Sequence, residues 1–454
     1  MQSGNEYDIA IVGGGMVGVS LALALAQSLP GDGRILLLES FSLPAQTPDF
    51  SAAYSPSFDA RSTALSYSSY LIYQQLGIWQ QLEQRTCAIA SIHVSEKGRF
   101  GSTLLQAADY GWPGLGFVIE NAWLGNVLIQ CLHQQGQVQL LSPARVVGVE
   151  PGPGGMELNF AEGGSVRCEL LVVADGADSA LRQALGIAVR ERPYRQHALV
   201  ANIGHALPHH GRAYERFTEH GPLACLPLPA ESSFSAGGSL LAEGSLLAEG
   251  SLLAEGSAVN TGSSATVGAN SRRSALVWTL SEAEAQQLQV CSQPEFLRRL
   301  QQRFGYRLGR MQKVGERHIY PLSLIRAQEQ VRRRVVVIGN AAHALHPVAG
   351  QGFNLALRDV ARLAAVLASA NAAGEDFFEL DCLRRYSDGQ RTDQERTVAF
   401  SDRLPGLFMH RDPALSLLRD FGLFALDLSP KLKWEFVQQT AGIAASAEYR
   451  NVRS

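Results

Sequence analysis

The stretch YDIAIVGGGMVGVSLALALAQSL, residues 7–29, with RILLLE at 34–39, decides the fold. YDIAIV is mostly apolar and of strand length, as in a strand buried on both faces. Gly13, Gly15 and Gly18 follow in the spacing GxGxxG, and the apolar residues after them continue as a helix. RILLLE then predicts a second strand closing on Glu39. A strand, a glycine turn, a helix and a strand ending in an acid about 20 residues on form a dinucleotide-binding unit. Gly13 permits the tight turn, Gly15 lets backbone N–H groups approach a pyrophosphate, and Gly18 allows close helix packing. The pyrophosphate would sit at the positive end of the helix, with Glu39 accepting from a ribose hydroxyl. This motif leaves NAD and FAD both open.

Two further stretches bear on that choice. ELLVVADGADSALRQALG, residues 169–186, is a hydrophobic strand stopped by Asp175 and Gly176 and reopening as a helix near Asp178 and Ser179. GNAAHALHPVAGQGFNLALRD, residues 339–359, follows the strand RRRVVVI and crowds Gly350, Gln351 and Gly352 at the mouth of a helix. A helix start of this kind aims free N–H groups into a crevice. It suits the carbonyl edge of a flavin, which becomes anionic on reduction.

With these three motifs in order, the chain resembles the aromatic-ring hydroxylases, FAD-dependent monooxygenases of the p-hydroxybenzoate hydroxylase fold. DARSTALSYSS at 59–69, the 339–359 stretch and RTDQERTVAFSDRLPGLF at 391–408 resemble in particular the ubiquinone-biosynthesis branch. Asn340 stands where most of the superfamily has the aspartate of a GD pair; an amide can still bond a ribitol hydroxyl. The resemblance implies cofactor contacts from Arg61, Asp175, Gly176, Gly339, Asn340, Gly352, Phe353 and Asn354. It places His346, Pro347, Gly350 and Gln351 beside the reacting ring. It implies FAD as cofactor, NAD(P)H as co-substrate and O2 activated as a flavin C4a-hydroperoxide. The substrate it implies is a hydrophobic polyprenyl phenol of the 2-octaprenyl-6-methoxyphenol type. A homodimer or a ubiquinone-biosynthesis assembly is implied in the same way. A different ring position, an FAD-dependent oxidase or reductase, and a non-catalytic FAD-containing assembly subunit stay open at this level.

The bulk composition sets limits. The 454 residues are 46% hydrophobic and 18% charged, with a formal net charge of −3. That balance, without a basic stripe, argues against a nucleic-acid partner. The six cysteines lack the short spacings of a zinc site or a disulfide framework, which points to a reducing compartment and to no bound metal. The glycine-interrupted N-terminal apolar run has the wrong flanks for a signal peptide. The expected location is cytoplasmic, peripheral to the inner membrane.

The expected architecture is α/β: a discontinuous Rossmann-type FAD domain, an inserted mostly antiparallel β-sheet substrate domain, and a C-terminal helical segment. The FAD domain takes 1–80, 108–186 and 307–386. The substrate domain takes 81–107 and 187–306, and helices fill 387–454. SLLAEG repeats three times from residue 239, within a low-complexity insertion over about 232–271 that reads as a surface extension between two strands. Tyr214, His197, Cys225 and Tyr320 are pocket candidates, and no residue stands out as a base for the phenol.

Overall fold

The computed structural model describes residues 6–29, 31, 33–43, 57, 61–99, 101–219, 221–230, 270–345, 350–409 and 429–443, with side chains left aside at 403–409. The insertion at about 232–271 therefore lies almost wholly outside the described residues, as do His346 and Pro347.

The first strand, Glu6–Val12, pairs in parallel with Ile35–Leu38 on one side and Ser165–Val173 on the other. Val335–Val337 extends the parallel run beyond Ser165–Val173, and Val138–Leu141 extends it beyond Ile35–Leu38. Three antiparallel strands complete this eight-stranded sheet. Its central apolar runs, Ile9–Val12, Ile35–Leu38 and Leu170–Val173, are buried, as strands covered on both faces require. One face packs on the helices Met16–Ser28, Asn121–His133 and Gln351–Ala372, whose Leu25, Leu128 and Leu363 join Ile9 and Ile11 in one core.

A second, nine-stranded sheet is organised around the long strand Val189–His205, which pairs antiparallel with Arg273–Ser281 and with His318–Ala327. It continues through Gly221–Pro227 and Arg212–Thr218 to Ser91–Glu96 and Ser102–Gln106. One face carries the helices Glu282–Val290 and Gln293–Phe304, with Phe296, Leu300 and Phe304 packed on Leu199, Leu276 and Trp278. Met311–Val314 and His318–Ala327 fall inside the stretch expected to return to the FAD domain. Backbone pairing places both in the second sheet instead, and the chain re-enters the first sheet at Val331.

A small three-stranded sheet, Ser62–Ser66, Gly116–Glu120 and Thr86–Ala88, lies between the two. A buried ion pair joins it to the second sheet: Arg273 Nη2 is 3.1 Å from Glu120 Oε1, and Arg273 also donates to the Ser57 carbonyl at 2.6 Å. The C-terminal helix Pro430–Ala441 seats Val437 against Ala64 and Val118 of the small sheet. No helix among the described residues is long and apolar enough to cross a membrane.

Candidate active site

Three adjacent parallel strands end in the three motifs. Val12 leads into Gly13–Gly18, Val173 into Asp175–Gly176, and Val337 into Gly339–Asn340. The carboxyl ends of such strands are where open α/β sheets hold ligands. The pairing runs on past the strand ends, through Gly13 N–H to Leu38 O at 2.8 Å and Ala174 N–H to Val12 O at 2.8 Å.

Gly13 has φ +114°, and a Cβ there would stand 2.4 Å from Ala174 O. A Cβ on Gly18 would come within 1.9 Å of Gly13 O. Both glycines are thus required by the turn itself. Gly15 differs: it caps the helix with φ −70° and has open space around the position of its missing Cβ. The open space adjoins the helix start, whose first N–H groups lack intrahelical acceptors. Glu39 accepts from Gly14 N–H at 2.7 Å and from Phe41 N–H at 3.0 Å, and a carboxylate so bonded retains lone pairs for a hydroxyl.

In the second motif Asp175 Oδ2 accepts from Leu181 N–H at 3.3 Å, while Oδ1 is buried with no hydrogen-bond partner among the described residues. An orphaned carboxylate oxygen at a strand end is expensive unless a ligand satisfies it. Gly176, at φ +95°, has open space beside it. Asn340 is exposed, and Gly339 packs against Val17 of the glycine-turn helix. Arg182, which sequence reading passed over, is buried and ties two motifs together. Its Nη1 donates to Ala177 O at 3.0 Å and to Ala341 O at 2.9 Å. No local pattern marks it.

The helix Gln351–Ala372 begins at Gly350, a left-handed residue (φ +64°) whose absent Cβ would lie 3.0 Å from Ala64 O. Helix geometry leaves the N–H groups of Gln351, Gly352 and Phe353 without intrahelical acceptors. The side chains of Gln351 and Asn354 turn inward. Gln351 donates to Thr440 O at 3.3 Å, fastening the C-terminal helix. Asn354 Oδ1 accepts from Ser66 N–H and Ser69 Oγ, and its Nδ2 donates to Ala64 O and Gly350 O. Its amide is saturated by protein, so this residue shapes the helix mouth from behind. Phe353 is half-buried against the main core. Arg61 is exposed at the head of Ser62–Ser66 and donates to Tyr320 Oη at 3.3 Å.

Of the pocket candidates, Tyr214 and Cys225 face the helix layer of the second sheet, with the Tyr214 ring 5.4 Å from that of Phe304. Strand alternation puts His197 on that same side, in step with Leu199. Only Tyr320 stands at the cleft.

The model for the FAD binding domain matches residues 6–387. The chain belongs to the FAD binding domain family. It is 30% identical over 435 residues to ubiquinone hydroxylase UbiL of Rhodospirillum rubrum, covering 96% of this chain and 89% of that protein. It is 28% identical over 436 residues to 3-demethoxyubiquinol 3-hydroxylase of Escherichia coli, covering 96% and 98%. Its fold matches p-nitrophenol 4-monooxygenase PnpA from Pseudomonas putida with a TM-score of 0.70 at 17% identity, over 97% of this chain and 99% of that one. The chain has the p-hydroxybenzoate hydroxylase-like architecture and is an FAD-dependent aromatic-ring hydroxylase. Its residues fit the cofactor: Gly15 has open space beside it, the buried Asp175 Oδ1 is without a partner among the described residues, and a left-handed glycine opens the helix Gln351–Ala372.

Proposed function

We propose that this hydroxylase adds oxygen to the ring of a polyprenyl phenol in ubiquinone biosynthesis, of the 2-octaprenyl-6-methoxyphenol type, with NAD(P)H as the electron donor. The observation that carries the reading is likeness to ubiquinone-pathway hydroxylases over nearly the whole of both chains. In that reading the FAD supplies electron transfer from the nicotinamide and activates O2. The chain's residues do the rest. Gly13–Gly15 and the following helix start hold the pyrophosphate, Glu39 the ribose, and Asp175 the cofactor through its free oxygen. Gly176, Gly339 and Asn340 line the same crevice. The N–H groups from Gln351 to Phe353 stabilise negative charge on the reduced ring. Arg61 with Tyr320, and Gly350, border the reacting edge.

The substrate ring then lies between that helix mouth and the second sheet. Ala213 and Ala275 of that sheet share one apolar cluster with Ala64, beside Gly350, and Leu226 packs at its edge. An apolar wall suits a prenylated ring and helps keep water from the activated oxygen. A tail of this kind partitions into bilayers, so delivery from a membrane surface belongs to the same reading.

Anaerobic stopped-flow reduction of the FAD-loaded protein by NADH and NADPH, with and without a short-tail 2-polyprenyl-6-methoxyphenol, tests it. After oxygen is admitted, mass spectrometry reads the product. Phenol-accelerated reduction and a product heavier by one oxygen support the proposal. Reduction that ignores the phenol and ends only in peroxide would overturn it in favour of an oxidase.

A further inference from the structure

The strands Arg212–Thr218 and Ser91–Glu96 run in parallel near the edge of the second sheet, with Arg212 opposite Ser91, Tyr214 opposite His93 and Arg216 opposite Ser95. Residues in register share a face, and the contacts follow from it. Arg212 Nε donates to Ser91 Oγ at 3.2 Å, Arg216 Nη1 to Ser95 Oγ at 3.4 Å, and the Tyr214 and His93 rings lie 5.9 Å apart. The helix layer meets this part of the sheet at Tyr214, whose ring lies 5.4 Å from that of Phe304 at the end of the helix Gln293–Phe304. Arg212, Arg216 and His93 around it are half-buried. The turn after the helix adds a third guanidinium: Arg307 is exposed and donates through Nη1 to Phe304 O at 3.5 Å.

Three like charges thus gather without a counter-charge. Among the described residues no carboxylate pairs with Arg212, Arg216 or Arg307. Arg303, in the last turn of the same helix, lies 3.3 Å from Glu219 and 3.6 Å from Glu284, and Arg298 and Arg299 both pair with Glu295. The crowding is felt locally. Burial and then Arg307 and Arg212 hold His93 below the usual histidine range, and burial and then Arg307 lower Arg216. Arg216 Nε also donates to Arg303 O at 3.0 Å, and cations near a helix C-terminus are favourable. That accounts for Arg216 and Arg307 singly, but not for Arg212 or for the lack of any acid. Each guanidinium keeps nitrogens without an acceptor among the described residues, in the fork geometry that suits phosphate.

Apolar side chains stand beside this charge. Tyr306, next to Arg307, is 71% exposed, and Leu207 is 51% exposed. They belong to one surface: Gly309 N–H donates to Tyr306 O at 2.9 Å, and Leu207 N–H to Leu308 O at 3.1 Å. A soluble phosphate would use the guanidiniums and leave Tyr306 and Leu207 in water. A bilayer uses both, since anionic headgroups attract arginine while the interface accepts an aromatic ring and an apolar side chain.

We propose that this face, Arg212, Arg216 and Arg307 with Tyr306 and Leu207, docks the protein on an anionic lipid bilayer. The proposal deepens the reading above, in which a prenylated substrate comes from a membrane surface, and rests on that reading for its purpose alone.

Co-sedimentation of the FAD-loaded full chain with vesicles tests it, using phosphatidylcholine alone and phosphatidylcholine mixed with phosphatidylglycerol. Binding is expected to favour the anionic vesicles and to weaken as salt is added. R307Q should weaken it about fivefold and R212Q/R307Q about 25-fold, from the worth of one arginine at an anionic surface. Y306S, which removes no charge, should weaken it several-fold at every salt concentration. R167Q removes an exposed arginine of the cofactor sheet and should bind as wild type does. Retained flavin and an unchanged melting temperature check that each variant is folded. Equal binding by wild type and R212Q/R307Q, or no binding to anionic vesicles, would overturn the assignment. Melting raised by inorganic phosphate in wild type but not in R212Q/R307Q, without vesicle binding, would overturn it in favour of a soluble phosphate ligand. Hydroxylation of a short-tail phenol is read separately: its absence from wild type, with vesicle binding still dependent on these arginines, counts against the substrate reading alone.

Discussion

The guanidinium of Arg182 donates to the carbonyl of Ala341 at 2.9 Å, and so locks the turn after one strand of the cofactor sheet to the turn after its neighbour. The same nitrogen reaches Ala177 O at 3.0 Å. Replacing Arg182 with leucine strands both carbonyls without this donor. At about 1–3 kcal/mol for each unsatisfied buried group, R182L should lose about 3 kcal/mol of stability. Thermal unfolding of the FAD-free protein reads the loss. Flavin dissociation should accelerate in parallel, because the Asp175 turn loses its tether.

The glycines of the first motif should separate into two kinds. Gly18→Ala forces a methyl group to within 1.9 Å of Gly13 O, and the expected outcome is a chain that does not fold to a stable state. Gly15→Ala meets open space at an ordinary φ of −70°. It should leave the unfolding of the FAD-free protein unchanged while weakening FAD binding by at least about tenfold, or about 1.4 kcal/mol. Fluorescence titration with FAD decides it. Equal FAD affinity in G15A would mean that the space beside Gly15 is not the ligand's.

His205 and Glu215 of the second sheet should give stability opposite slopes with pH. His205 is buried, bonded through Nδ1 to Leu207 O at 2.7 Å and through Nε2 to Ser274 Oγ at 2.9 Å. Desolvation lowers it from 6.5 to about 4. Between those values the unfolded chain binds a proton that the folded chain refuses, so stability falls as pH drops from about 6.5 toward 4. H205Q should flatten that acid limb. Glu215 has the reverse sign: its folded carboxyl is raised to about 7, so stability falls as pH rises from about 4.5 through 7. E215Q should melt higher than wild type above pH 7. Melting curves across pH for both variants check the two signs.

How much of this was legible depends on the range of the physics. A glycine that must adopt φ +114°, or must let two backbones touch, is constrained by atoms a few residues away or by the next strand end. The spacing therefore announced Gly13 and Gly18, while the placing of the three strand-turn motifs on adjacent strands came from the sheet itself. Gln351 and Asn354 show where that reading thins. Both stand at the expected helix mouth, but their side chains turn away to Thr440 and to the Ser66–Ser69 turn. A helical position names a residue's neighbours at i+3 and i+4, not which side of the helix a distant segment will cover.

The strand Arg212–Thr218 draws the boundary most clearly. By itself the sequence determined that Tyr214 and Glu215 point to opposite faces, because side chains alternate along any strand. It likewise determined the glycine turns and acidic strand ends of the FAD crevice, since local backbone sterics permit few other residues there. What would cover each face of the second sheet was decided only in three dimensions. Phe296, Leu300 and Phe304 cover the Tyr214 side. On the Glu215 side Ala213 and Ala275 are buried with Ala64, Val118 and Val437 instead, because each apolar face had to be buried somewhere and that choice belongs to the packing of the whole chain.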